Sequence, residues 1–150
     1  MKGKLYLWML IGMFWIVNGG EVLSQEMDHL HSLAVDPQTG TLLMGTHHGL
    51  YESRDEGKSR QKRTLKGDVP GTDFMTMVAD PANPKLTYAG GHDLAVLKSE
   101  DGAASWSRVD DGPENPNVTS LTSVPIPTGM GGIFLYAGTA AGLFRSADCF

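Results

Sequence analysis

The sequence predicts an all-β fold that is built from three repeats of about 45 residues each. Two observations predict it. Glycine and proline are frequent, at 19 and 8 of the 150 residues, which is typical of a chain rich in turns. The apolar residues, 41% of the chain, fall in short runs between turn residues rather than at helical spacing. A helical bundle is therefore excluded as the main architecture.

The N-terminus has the three-part pattern of a secretory signal peptide. Lys2 and Lys4 precede the apolar run 5–17, and a helix-breaking Asn-Gly-Gly follows. The run is short for a membrane span, which needs about 20 residues. We expect residues 1–24 to be removed after Ser24, so that residues 25–150 are exported to a periplasm or beyond. The alternative is an uncleaved anchor formed by residues 5–17, which would be the chain's only contact with a membrane.

The remaining chain repeats itself. A Ser-x-Asp sequence ends each unit, and its aspartates, Asp55, Asp101 and Asp148, are 46 and 47 residues apart. The units predict three blades, at about 28–66, 67–113 and 114–150.

Each unit contains several short strands. Leu33–Val35 and Met75–Val78 are apolar and end at Asp-Pro, which starts turns. Four short strands in about 45 residues are typical of a β-propeller blade. The sequence therefore predicts a β-propeller of four-stranded blades, of which about three are present, in an incomplete ring.

The repeated turn resembles the Asp box, Ser-x-Asp-x-Gly-x-Thr-Trp, of sialidase-like (BNR-repeat) propellers. Its Ser, Asp and Gly can bond and shape a hairpin turn locally. Ala103 stands where the second copy would have its glycine, so we expect that turn to be looser. Positions that match the box are Ser53, Asp55 and Gly57 in the first copy, Ser99, Asp101, Ser105 and Trp106 in the second, and Ser146 and Asp148 in the third.

A narrower resemblance is to exported bacterial glycosylhydrolase-like propellers with Asp boxes. It is carried by the sequences His29-x-His31-x-Leu-Ala-Val-Asp-Pro, Gly45-Thr-His-His-Gly-Leu-Tyr and Gly90-Gly-His. The resemblance implies that the chain is an N-terminal fragment of such a propeller. It also implies an association with sugar hydrolysis, although a fold does not confer a function.

Charge and cysteine content exclude other classes. The net charge is −5 and the isoelectric point is about 5.4, so a nucleic-acid-binding protein is not expected. The one cysteine, Cys149, excludes an internal disulfide.

The sequence contains no recognisable group of catalytic residues, so we favour a protein that is not an enzyme. All five arginines lie within or beside the Asp boxes, which in sialidase-like propellers sit away from the catalytic pocket. A glycosidase would need two carboxylates about 5 to 10 Å apart. Asp28, Asp73 and Asp93 lie near predicted strand ends, but their spacing in the sequence does not pair them.

The five histidines suggest a metal site. They are His29, His31, His47, His48 and His92. His47 and His92 occupy equivalent places in adjacent blades, so we expect them at the same end of the sheets. Imidazole suits zinc, copper and iron, and the nearby Met27, Met44, Met75 and Met77 would suit Cu(I). The competing interpretation is that these histidines only bond to neighbouring backbone groups.

Three functions follow from these observations. The first is a binding or scaffold module for a glycan or a protein ligand, which the broad face of a propeller favours. The second is a glycoside hydrolase acting on extracellular glycans through residues beyond this fragment. The third is a histidine-rich periplasmic propeller that binds a transition metal.

Overall fold

The computed structural model describes residues 29–36, 38–81, 83, 85–109, 111–126 and 132–146, and it is all-β, as predicted. The expected signal segment, residues 1–24, lies outside the described residues, as do Asp28, Asp148 and Cys149. Among the residues that the structure describes, no helix is long and apolar enough to cross a membrane. The strands are β1 (Leu30–Val35), β2 (Leu42–Thr46), β3 (Gly49–Ser53), β4 (Gln61–Lys62), β5 (Phe74–Ala79), β6 (Thr87–Gly91), β7 (Ala95–Ser99), β8 (Ser107–Arg108), β9 (Val118–Pro125), β10 (Ile133–Thr139) and β11 (Gly142–Ser146).

The strands form three antiparallel sheets, which we call blades 1, 2 and 3. Blade 1 has the order β1-β2-β3-β4 and blade 2 the order β5-β6-β7-β8. Blade 3 has the order β9-β10-β11 within the described residues. The first strands of the blades lie side by side, β1 beside β5 and β5 beside β9. This arrangement is that of consecutive propeller blades around an axis.

Blades 1 and 2 pack through a buried apolar layer. Leu50 of blade 1 and Phe74, Leu94 and Leu97 of blade 2 are completely buried in it. The Trp106 ring, which follows the second Ser-x-Asp turn, belongs to the same layer and lies 6.1 Å from the Phe74 ring, centroid to centroid. Burying a side chain of this size stabilises the fold by about 1.5–3 kcal/mol.

Blades 2 and 3 pack through a second layer of the same kind. Tyr88 and Val96 of blade 2 face Val118, Ile133 and Leu135 of blade 3, and all five side chains are buried. Both faces of blade 2 are therefore covered, which explains why β6 is buried at every position. A strand covered on both faces has a continuous rather than an alternating apolar pattern.

Both described Ser-x-Asp turns, which resemble Asp boxes and are called boxes below, are closed by side chains that bond to the turn. In the second box, the Ser99 hydroxyl donates to Asp101 Oδ1 (2.9 Å) and accepts the Ala103 N–H (2.9 Å). Asp101 also accepts the backbone N–H (2.8 Å) and the hydroxyl (2.6 Å) of Ser105. The first box has the equivalent bonds around Asp55, made by Ser53, Gly57 and Ser59. The two turns are therefore built alike.

The expectation that Ala103 loosens its turn is wrong. Ala103 adopts a positive φ of 64°, and Gly57, its equivalent in the first box, has a φ of 87°. The serine hydroxyl bonds the N–H of both residues at nearly the same distance. A left-handed alanine costs roughly 1–2 kcal/mol. Burial of the Ala103 methyl group in the layer between blades 1 and 2 offsets part of that cost.

The boxes make the stability of the fold depend on pH. Bonds from the Ser105 hydroxyl and then its N–H lower the pKa of Asp101 from 3.8 to about 2. Since the unfolded carboxylate has a pKa of about 3.9, its stabilising effect is complete above about pH 4 and is lost as the pH falls towards 2. We expect Asp101→Asn to be less stable than the natural chain at about pH 7, with a smaller loss of stability on acidification to about pH 3.

Urea unfolding at both pH values measures this difference. Asp111→Asn is the control, because Asp111 is an exposed carboxylate outside the boxes. An Asp101→Asn variant with the same acid sensitivity as the natural chain would refute this role of the box.

Candidate metal centre

The histidines collect at one end of the sheets, which we call the histidine end. Strand β1 begins there, β2 ends there, and the turn to β3 contains His47 and His48. In blade 2, Asp73 lies just before β5 and His92 just after β6. Adjacent blades run in the same sense, so these segments meet at the same end, as the repeat predicted for His47 and His92.

His31 and His47 are in direct contact. Their Nε2 atoms are 2.8 Å apart, and their ring centroids are separated by 4.1 Å. His31 reaches this position because the β1–β2 register shifts between Leu30 and Ser32, which leaves His31 at a bulge. Bulges of this kind redirect a side chain at a strand end.

Asp73 joins the histidines of the two blades. Its Oδ1 lies 2.9 Å from Nδ1 of His47, and its Oδ2 lies 2.6 Å from Nδ1 of His92. Oδ1 is buried and, apart from its ion pair with His47, has no hydrogen-bond partner. Burial raises the pKa of Asp73, but the bonds from His92 and His47 outweigh it, so the pKa lies below its ordinary value. The carboxylate is therefore held ionised between two imidazoles.

His29 and His48 lie near the same end of blade 1. The His29 ring lies 6.4 Å from the His31 ring and 6.2 Å from the His47 ring, centroid to centroid. His48 is exposed and donates its backbone N–H to the Thr46 hydroxyl, 3.1 Å away. The hydroxyl of Thr72 bonds the carbonyl of His47 (3.1 Å) and ties this turn to blade 2.

The contacts define which ring nitrogen carries a proton. His47 Nδ1 faces a carboxylate, so it carries the proton that it donates to Asp73. In neutral His47 the Nε2 atom is then the acceptor, and His31 donates its Nε2 proton to it. A metal ion at this place would displace that shared proton, which would move to Nδ1 of His31 or to solvent, and would bind the lone pairs of both Nε2 atoms.

The geometry fits a transition metal with a small adjustment. His31, His47 and Asp73 form a group whose candidate ligand atoms lie within 4.8 Å of one another. Because Asp73 is engaged by Nδ1 of His47, the two Nε2 atoms are the pair that can share an ion. Zinc–nitrogen bonds of about 2.0–2.1 Å at tetrahedral angles need nitrogens about 3.3 Å apart. The two Nε2 atoms would therefore separate by about 0.5 Å from their distance of 2.8 Å. The rings are half-buried, so such a movement needs no repacking of the core.

Sequence reasoning singled out the histidines but missed Asp73 as their partner, treating it only as a possible glycosidase carboxylate. The signal was its position, since it lies directly before the first strand of blade 2. Two of the methionines that were expected as possible Cu(I) ligands lie inside the fold. Met44 and Met77 are buried among the strands, and Met77 belongs to the layer between blades 1 and 2. Met27 lies outside the described residues.

A cleft of about 510 Å³ lies at the opposite end of blades 1 and 2, near the Asp boxes. Its charged lining includes Glu52 and Arg63, which pair with each other at 3.4 Å. Arg63 also donates to the carbonyl of Gly102 in the second box (3.2 Å). The bond to Gly102 joins blade 1 to blade 2 beside this cleft, which is separate from the histidine end.

The tautomer of His47 can be tested directly. We expect long-range ¹H–¹⁵N NMR of the metal-free protein to show His47 protonated at Nδ1, because Asp73 accepts that proton. Asp73→Asn removes the negative acceptor and should reduce the population of this tautomer. The His48 signals serve as an internal control that should not change. Protonation of His47 at Nε2 alone in the natural chain would contradict the proposed hydrogen-bond order.

Comparison with known proteins bears on the fold. No protein-family model matches the sequence, and no curated protein matches it. Among the solved structures that are similar to it, three match over 79% of the chain. They are a GH74 enzyme from Niastella koreensis (20% identity, TM-score 0.54), an ancestral GH74 enzyme (16%, 0.51) and a GH74 xyloglucanase from Xanthomonas campestris (22%, 0.50).

The chain spans about a fifth of the length of these enzymes, between 20% and 21% of each. At identities of 16% to 22%, the similarity to these enzymes shows the fold alone. The blade stacking and the three neighbours together show a glycosylhydrolase-like β-propeller fold, of which the described residues form three consecutive blades.

Proposed function

We propose that this chain is an exported β-propeller module that binds a transition metal ion at its histidine end. The observation that carries the proposal is the pair of imidazole Nε2 atoms, 2.8 Å apart, with the Asp73 carboxylate behind one of them. Imidazole nitrogen is a ligand for zinc, copper, nickel and iron. The proposed direct ligands are His31 and His47.

Asp73 has the role of a positioning residue in this proposal. Metal-binding histidines commonly donate their second ring N–H to a carboxylate, which fixes the ring and makes the other nitrogen more basic. Asp73 does this for His47 at 2.9 Å, and His92 holds the second oxygen of the same carboxylate at 2.6 Å. The orientation of His47 is thus set before a metal binds.

His29 is the proposed third ligand. Its ring lies about equally far from those of His31 and His47, and it is exposed at the start of β1. His29 is exposed, so water or another ligand could complete the coordination of an ion bound there. Two or three histidines with open positions are typical of sites that exchange a ligand.

The geometry favours metal binding over glycoside hydrolysis by these blades. Hydrolysis requires one carboxylic acid that protonates the leaving group and one carboxylate that attacks or activates water. Both oxygens of Asp73 are already engaged by imidazoles. Glycoside hydrolysis through residues beyond these blades stays a separate prediction.

Titration calorimetry with Zn²⁺ and with Cu²⁺ tests the proposal. We expect about one ion per chain. His47→Ala should weaken binding by more than about 100-fold, because it removes a direct ligand, whereas Asp73→Asn should weaken it by about 10–100-fold. Binding should also weaken as the pH falls, because protons compete for the imidazoles.

His48→Ala is the matched control, since His48 is the adjacent residue in the same turn. It should bind as tightly as the natural chain. Equal losses in His48→Ala and His47→Ala would show that binding is an effect of surface histidines in general. Absence of binding by the folded natural chain would overturn the proposal.

A further inference from the structure

The cleft of about 510 Å³ near the boxes has an apolar lining. This lining comes from Ala34, Val35 and Leu43 of blade 1 and from Ala79 of blade 2. Val35 is 48% exposed, so part of the apolar surface is open to solvent. The volume is within the range of about 300–1,000 Å³ that is typical of small-molecule sites. The cleft is thus large enough to hold an organic ligand.

The repeat explains why this space is open. Leu43 and Tyr88 are equivalent, since each lies two residues before the glycine that approaches the next blade. The Tyr88 ring is completely buried and packs between blades 2 and 3. Blade 1 has the smaller Leu43 at this place, and it has Ala34 where blade 2 has Val78. The cleft therefore results from the residues of this junction and not from the stacking of blades itself.

The carboxylates that line the cleft are bonded within the protein. Glu52 pairs with Arg54 at 3.2 Å and with Arg63 at 3.4 Å. Asp36 accepts two bonds from its own turn, of 2.9 and 2.6 Å, and Asp101 accepts those of the second box. The hydroxyl bonds and then the N–H bonds of these turns lower the pKa of both aspartates, so both are ionised at about pH 7. A ligand that brings further donors would have to compete with these bonds.

The cationic groups of the cleft retain free donors. The Arg63 side chain is 20% exposed and is held in place by Glu52 and by the Gly102 carbonyl, to which Nη1 donates. Its Nη2 atom has no partner among the described residues. Arg54 is 75% exposed and uses only Nη2 for Glu52. Lys85 lines the cleft from blade 2, is exposed, and pairs with no carboxylate that the structure describes.

We propose that this cleft binds a small organic acid that carries an aliphatic chain. Its carboxylate would accept N–H bonds from Arg54, Arg63 and Lys85, and bonds between charged partners are roughly twice as strong as neutral ones. Its chain would cover Leu43 and Ala34, which takes apolar surface out of water. The three cations and three carboxylates of the lining balance in charge, so recognition depends on the free donors and not on net charge.

Titration of the ¹⁵N-labelled 150-residue chain with octanoate, followed by NMR, tests the proposal. We expect the amide signals of Lys85 and Gly102 to shift in a saturable way. Arg54→Gln and Lys85→Gln should each raise the dissociation constant by about 10-fold, because each loses a charge-assisted hydrogen bond. Lys66→Gln is the matched control, since Lys66 is an exposed lysine outside the cleft lining.

Two further ligands separate the contributions of the carboxylate and the chain. Octanol lacks the charge and acetate lacks the chain, so each should bind at least about 10-fold more weakly than octanoate. Leu43→Tyr introduces the residue that fills the equivalent space in blade 2, and it should abolish binding. Far-UV circular dichroism checks that this variant is folded. If it is not, the variants of the exposed Arg54 and Lys85 still decide the question.

Absence of octanoate shifts in the folded natural chain would overturn the proposal. So would octanoate binding that neither Arg54→Gln nor Lys85→Gln weakens, and so would octanol binding as tight as that of octanoate. The titration is made without metal and concerns the end of the sheets opposite to the histidines, so this proposal and the metal proposal fail separately.

Discussion

The close stacking of blade on blade is the constraint on which the other features depend. It requires glycine at the place where the second strand of one blade passes the first strand of the next. A Cβ atom on Gly45 would lie 2.7 Å from the carbonyl oxygen of Phe74, and one on Gly90 would lie 2.8 Å from Cβ of Val118. Such distances are below ordinary contact, so a larger residue would push the blades apart at the histidine end.

The same approach brings the polar residues together. His47 follows Gly45 by two residues, and Asp73 directly precedes Phe74, so the contact between Gly45 and Phe74 places the imidazole beside the carboxylate. The polar cluster is thus a consequence of apolar packing between blades. Its two halves come from different repeats, which makes its geometry sensitive to the spacing of the blades. The proposed direct ligands all lie in blade 1, so blade 2 contributes to the site through Asp73, which orients His47.

Much of the fold could be predicted from the sequence because the residues that shape each turn lie within a single repeat. Asp55 and Asp101 bond within their own turns, so the period was visible in their spacing. The site was less accessible. The position of His31 depends on a bulge, which leaves no pattern in the sequence. Asp73 can be placed directly before the first strand of blade 2 from the sequence, but its partnership with His47 depends on contact between the blades. Ala103 shows that burial can compensate for an unfavourable backbone conformation, which residue preferences alone do not reveal.

The most direct test of the central claim is X-ray absorption spectroscopy of the protein loaded with one equivalent of Zn²⁺. The account predicts at least two imidazole ligands, with zinc–nitrogen distances of about 2.0–2.1 Å and the multiple-scattering features of histidine rings. It also predicts that these features diminish in His31→Ala. A spectrum with oxygen ligands only would contradict the account, because His31 and His47 would then be in contact without forming a metal site.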